Sequence, residues 1–280
     1  MGSYNFKLLK DELSLPAWLA LGATAQALVS YLAPARYSLV PVALVSFILL
    51  SNLVLQHLGW TRNIYLADAV LDRTTVIFPE DDGSRPEKMG TKPVAVFWLG
   101  IRSNHPMGRL HPAYQKLNKY LDDMYADCEA NRATNGCMCF GDDPVLGRSP
   151  DLVASDYAQN NTLHSVSYWK SIEHLEAFSR RPAHIKGFKF LVANVMGGST
   201  DLGVLHEVFY CPPSHWEAIY TNVKSQNFGS LQWPMGKSGN LRGAYIERNP
   251  DVIKGMWGRM GNKLKQAEAD EKFGQVYGDA

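Results

Sequence analysis

The chain has 280 residues, a formal net charge of +1 and a sequence pI near 7.7, with acidic and basic residues mixed along its length. That balance excludes the broad basic field of a nucleic-acid binder. The four cysteines, Cys128, Cys137, Cys139 and Cys211, form neither a disulfide framework nor a paired zinc-binding set. No phosphate loop, dinucleotide fingerprint or pair of histidines at i and i+4 occurs, so ATP, NAD and zinc have no motif behind them.

Two long apolar runs open the chain. Leu15–Ala33 and Ser38–Leu58 contain no charged residue, and each approaches the ~20 residues that cross a ~30 Å hydrocarbon core. Trp18, Tyr31, Tyr37 and Trp60 mark their ends, where aromatic rings favour the headgroup region. Pro34, Ala35 and Arg36 separate the runs, so residues 1–62 read as a membrane-anchoring helical hairpin. Lys7, Lys10, Arg62 and Arg73 flank the outer ends against Arg36 in the turn. The positive-inside bias therefore places both ends in the cytosol, with the endoplasmic reticulum as the expected membrane. A buried hairpin of a soluble protein is the rival reading, because Gln26, Ser30, Asn52 and Gln56 dilute the apolarity.

Residues 63–93, rich in charge, Pro and Gly, read as a linker. Lys92–Asn104 turns apolar and β-prone, and Pro112–Ala130 carries Tyr114, Leu117, Leu121, Met124 and Tyr125 at helical spacing. A loop with Asn135-Gly136 and Asp142-Asp143-Pro144 encloses a short strand near Met138–Phe140. Leu163–Lys170 alternates like a half-buried strand, and Ser171 caps a helix carrying Ile172, Leu175 and Phe178. Pro182 breaks that helix, and a second piece runs to Gly197-Gly198. Leu202–Cys211 and Trp216–Val223 read as further strands.

Residues 94–229 thus follow the order strand, helix, strand, strand, helix, strand, the split βαβ pattern of an α+β ferredoxin-like domain, with one strand added. One such unit leaves a sheet face bare, so a homodimer forming a dimeric α+β barrel is expected. Residues 230–280 read as a C-terminal extension whose helix presents Ile253, Met256, Trp257, Met260 and Leu264 on one face.

The run from Tyr168 to Phe178 (YWKSIEHLEAF), then His184, Leu205–Phe209 (LHEVF) and Glu217–Asn222 (EAIYTN), resembles a known family. It is similar to the fungal and bacterial monooxygenase-like family of dimeric α+β barrels. That family is related in fold to antibiotic-biosynthesis monooxygenases and more loosely to haem aldoxime dehydratases. The resemblance implies a role in natural-product biosynthesis and a membrane-anchored fungal type. This chain has Asn227-Phe228-Gly229 where the family has a Gly-Leu-Gly-like stretch.

His206 is the first catalytic candidate, because imidazole suits proton transfer near neutral pH and sits among Val204, Leu205, Val208 and Phe209. Strand alternation points the adjoining Glu207 to the opposite face. His184 is the second candidate, and in related folds a histidine in this helix region ligates haem or faces the pocket. Trp98, Arg102, Tyr168, Trp169, Glu207, Tyr220 and Asn222 are the candidate lining residues for a lipophilic small-molecule substrate. No cofactor is expected, and haem is the alternative kept open by the resemblance. Three functions compete: a cofactor-free monooxygenase-like enzyme, an acid/base cyclase, isomerase or dehydratase, and a non-catalytic membrane scaffold or carrier.

Overall fold

A computed structural model describes residues 15–63, 66, 69–140, 162–223, 227–236 and 240–277. The expected loop residues Asp142–Pro144 lie outside them. The chain divides into two compact units, with the boundary between Ala69 and Val70.

The first unit is a helical hairpin of α1 (Leu15–Leu32) and α2 (Val40–His57), joined through a 3₁₀ turn at Ala35–Tyr37. Neither helix has a buried residue, and both are long and apolar enough to cross a membrane. Two of the polar side chains in α1 bond to backbone carbonyls of the hairpin. Gln26 donates to the Ser38 carbonyl across the hairpin, and the Thr24 hydroxyl donates to the Ala20 carbonyl at 2.8 Å. Internal satisfaction of this kind is what an apolar surrounding demands.

The second unit contains β1 (Val70–Ile77), β2 (Val94–Ser103), α3 (Pro112–Ala130), the single turn α4 (Arg132–Asn135), β3 (Cys137–Phe140) and β4 (Thr162–Trp169). It continues through α5 (Ile172–Ser179), α6 (Pro182–Met196), β5 (Leu202–Cys211), β6 (Tyr220–Val223), β7 (Leu231–Met235), β8 (Asn240–Gly243) and β9 (Tyr245–Glu247). Its tail carries α7 (Pro250–Ile253), α8 (Met256–Arg259) and α9 (Lys263–Tyr277). The main sheet has the order β5-β2-β4-β3-β7-β8, and β2 pairs antiparallel with both β4 and β5. Taken alone, β5-β2-β4-β3 is the 4-1-3-2 order that a split βαβ pattern produces, so the fold is ferredoxin-like.

Alternation along the strands divides the core. Ala95, Phe97, Leu99 and Ile101 share one face of β2 with Trp169 and Leu202 of its neighbours. Two clusters form beneath the helices there. One holds Ala95, Cys137, Trp169, Leu175 and Phe178; the other holds Ile101, Tyr114, Leu117, Leu121 and Leu202. The opposite face is capped at one end by Phe78, Trp216, Leu231 and Trp233 against Val94, Met138 and Tyr168.

That cap corrects two boundaries. Residues 63–93 are not all linker, because β1 lies among them, with Thr74–Phe78 buried, and pairs with β6 and β9 in a small sheet. Residues 231–247 are not an extension either: β7 and β8 lengthen the main sheet and β9 completes the small one. The bare sheet face expected from a lone unit is accordingly bare only in part. The added strand spans Tyr220–Val223 rather than starting at Trp216, whose ring is committed to the cap. The single helical face expected after Asp251 is broken into three helices, with Gly261 (φ 77°) in the left-handed region between α8 and α9. Asn227-Phe228-Gly229 opens a 3₁₀ turn that stacks Phe228 on Trp216 at 5.1 Å and lets the Gly229 amide donate to the Tyr220 hydroxyl at 2.9 Å.

Candidate functional site

The strand register decides which candidate residues can meet. His206 pairs with Leu99 and therefore lies on the helix-covered face, while Glu207 pairs with Trp98 on the other. The His206 ring packs 5.6 Å from Phe97, one register step along the same face. Edge strand β5 leaves the histidine exposed beside exposed Val204 and Val208.

His184 approaches the same place from the helix layer. Pro182 starts α6, because its fixed φ and missing N–H suit the first helical position, and His184 follows two residues later. Its ring meets Phe178 edge-on at 5.6 Å, and Phe178 packs in turn on Trp169 at 5.1 Å. The His184 Nδ1 is buried without a hydrogen-bond partner. Burial pushes the His184 imidazole below its ordinary range; the Ser179 backbone pulls it back, and nearby His206 opposes protonation again. The two histidines thus border the same aromatic cluster, His206 through Phe97 and His184 through Phe178.

The start of α6 is fixed from below. Arg181, its N-cap residue, forms a two-pronged ion pair with Asp127 of α3, the outer guanidinium nitrogen at 2.8 Å. The Arg181 hydrogen bond holds the Asp127 carboxyl below the usual carboxylate range. On the same side of the sheet, Tyr125 and Ser165 share a hydrogen bond, and the Trp169 indole donates to the Ser167 hydroxyl at 2.9 Å. Exposed Ile185, Phe188, Val195 and Met196 add an apolar surface along α6. The arrangement offers a neutral imidazole, a second imidazole and an apolar wall. Those groups can accept and return a proton beside a lipophilic molecule.

The remaining candidates separate. Trp169 joins the helix-side cluster but is core, 2% exposed. Trp98, Arg102, Tyr168 and Glu207 lie on the opposite face. Tyr168 packs on Phe228 at 4.9 Å, and its hydroxyl is pushed up to about 12 by burial and by neighbouring Tyr220. Tyr220 sits in the small sheet, and Asn222, also there, is exposed with φ 55°. None of these five shares the histidines' face, nor does Asn222.

The sequence reading missed the two rings that frame the histidines, Phe97 and Phe178. It also missed a polar cleft of about 400 Å³ lined by Asp81, Lys92, Lys170, His174 and Trp233. The available signal was positional: Lys92 leads into β2 and Lys170 follows β4, and the Ala95–Trp169 register makes those strand ends neighbours.

Residues 94–229 match the family model described as Monooxygenase af470-like. Monooxygenase af470 of Aspergillus fumigatus is 25% identical over 214 residues, which cover 76% of this chain and 74% of that protein. These residues form a monooxygenase af470-like domain. Among solved structures, a putative antibiotic biosynthesis monooxygenase from Caulobacter crescentus is 12% identical, covering 42% of this chain and 90% of that one with a TM-score of 0.28. A conserved protein of Bacteroides thetaiotaomicron, described as a possible oxidoreductase, is 11% identical over 43% of this chain and 98% of its own, also with a TM-score of 0.28. The fold of the af470-like domain rests on its own strand order. The family match ends at residue 229, short of β7, whose Leu231 and Trp233 complete its core.

Proposed function

We propose that this protein is a membrane-associated monooxygenase-like enzyme that oxygenates a lipophilic, electron-rich substrate without a bound cofactor. The observation that supports this most is the convergence of His184 and His206 on one apolar, helix-side surface of the af470-like domain. In this scheme His206 removes the O–H proton of a phenol or enol. The anion passes one electron to dioxygen, and the resulting radicals combine as a hydroperoxide. Loss of water then leaves a new carbonyl, so one oxygen atom enters the substrate and the other departs as water. No external reductant is needed. Neutral His184 accepts or relays the proton, and the apolar wall of α6 limits water around the anion.

The hairpin α1–α2 is the proposed anchor, with the soluble unit on the cytosolic face of the endoplasmic reticulum. Secondary-metabolite biosynthesis is the setting that the family resemblance implies. Exposed Leu205, Phe209 and Tyr210 on edge strand β5 support self-association as a homodimer, since a bare apolar edge is an association site.

The same histidine pair also serves redox-neutral proton transfer, as in a cyclase, isomerase or dehydratase. Dioxygen uptake by the full chain with a candidate phenolic substrate separates the two readings: stoichiometric uptake is expected, and turnover without it assigns the acid/base reaction. His206→Ala should lower kcat about 10²–10⁴-fold. Unchanged product formation in both His206→Ala and His184→Ala would place the site elsewhere on the protein, whereas no turnover by the unaltered chain would leave a carrier or scaffold.

A further inference from the structure

The cleft at the end of the main sheet is built around one indole and two ammonium groups. Trp233 of β7 forms its floor, with Lys170 Nζ 4.7 Å and Lys92 Nζ 5.9 Å from the ring centroid. Each lysine has a carboxylate partner, Lys92 with Glu80 and Lys170 with Asp81 at 3.4 Å. The cations and anions are not equally placed. The Lys92 and Lys170 side chains are 17% and 19% exposed, whereas Glu80 and Asp81 are 38% and 69% exposed. The positive groups therefore lie inside, and the negative groups sit at the rim.

Asp81 is the looser partner. It touches both Lys170 and the Trp233 Nε1–H at 3.4 Å, beyond the usual distance of a strong charge-assisted bond. Burial pushes Lys170 down; Asp81 pulls it back, and Lys92 opposes its charge again. An ammonium has three donors, so each lysine retains capacity beyond a single carboxylate. His174 lines the same cleft from α5. Its Nδ1 lies 2.8 Å from the Ser171 hydroxyl, which also accepts from the His174 amide. In the tautomer where the Ser171 hydroxyl donates to Nδ1, the imidazole N–H is at Nε2.

We propose that this cleft binds the oxyanion group of a small acidic ligand, a phosphate or a carboxylate, between Lys92, Lys170 and His174, displacing Asp81 from Lys170. The cleft exceeds what a bare oxyanion needs and matches the ~300–1,000 Å³ of ligand sites, so the group belongs to a larger molecule. The site lies on residues other than the histidine pair and does not depend on its chemistry.

The test uses the full chain in detergent micelles, titrated with inorganic phosphate and with citrate at constant ionic strength. Saturable heat with at least one of them is expected, and which one binds tells phosphate from carboxylate. Lys92→Gln and Lys170→Gln should each weaken that binding about tenfold. Asp81→Asn should tighten it, because the competing carboxylate is gone. In the unaltered protein the bound anion should also protect Lys92 and Lys170 from acetylation while exposed Lys263 reacts as before. This readout decides the matter if a lysine variant fails to fold. Absence of saturable binding, binding as tight as the unaltered protein's in either lysine variant, weaker binding in Asp81→Asn, or no protection overturns the proposal.

Discussion

Phe178 joins the stability of the domain to the state of His184, so Phe178→Ala should disturb both together. The ring is 8% exposed, packs on Trp169 at 5.1 Å and meets His184 edge-on at 5.6 Å. Truncating a buried Phe to Ala costs about 3–5 kcal/mol, of which two ring contacts supply about 1–3 kcal/mol. For a folding unit of this size each kcal/mol lowers Tm by about 2–4 °C, so near-UV circular dichroism should show a fall of about 6–20 °C. The cavity admits water beside His184, whose titration, followed by NMR and assigned with His184→Gln, should move up toward the ordinary value of 6.5. The sign in the unaltered protein follows from linkage. His184 is held below 6.5 when folded, so its contribution is complete above that pH and is lost as pH falls toward the folded value. Phe178→Ala should flatten that acid-side loss. A Tm change under about 2 °C, or an unmoved His184 titration, would refute the assignment of Phe178 as the ring that keeps His184 dry.

Asp127→Asn should cost about 1–3 kcal/mol at pH 7. Because Arg181 holds the Asp127 carboxyl low, that contribution is present above 3.8 and lost as pH falls through the folded value, so urea midpoints of variant and parent should converge in acid. Purified protein should be colourless; a Soret band that disappears in His184→Ala would replace the cofactor-free scheme with a haem-dependent one. Phe209→Asp should shift the particle from dimer to monomer in sedimentation velocity, and a parent that is already monomeric would remove the dimer proposal. Tags at both chain ends should be accessible to protease on the outside of sealed microsomes, and protection of both would invert the topology.

The hairpin and the ferredoxin-like core were legible because their signals are local. Apolar length marks α1 and α2, period-two alternation marks β2, β4 and β5, and helical spacing with Ser171 and Pro182 marks α5 and α6. What stayed hidden depends on partners distant in sequence. β1 looked like linker because Asp72 and Arg73 interrupt it and a charge-rich stretch follows, yet its second half is buried by β6 and β9. β7 carries Pro234, which cannot donate to a strand ladder, yet that residue is fully buried there. At the candidate site, alternation alone separated His206 from Glu207, but only the packing of α6 on the sheet brings His184 to His206. Tyr168 and Trp169 were read together as lining residues; adjacent strand positions face opposite ways, and both rings went to separate cores. The polar cleft needs Asp81, Lys170 and Trp233, three segments that no local window contains.

Arg259 shows that the folded unit runs well past residue 229. It is 7% exposed, donates to Glu217 at 2.6 Å and to the Ile253 carbonyl at 2.7 Å, and so ties α7 and α8 back to the segment before β6. An excised fragment matching the family boundaries, 94–229, would strand Glu217 without its cation. It would also strip Phe78, Leu231 and Trp233 from Val94, Met138 and Tyr168. The inherited segment and the cooperative segment are different lengths of chain. Expression trials bounded at 70 and 277, which keep the Gln266 side chain that accepts from the Gly258 amide at 3.0 Å, should yield a dispersed, sharply melting protein, whereas the shorter fragment should precipitate through its uncovered aromatic surface.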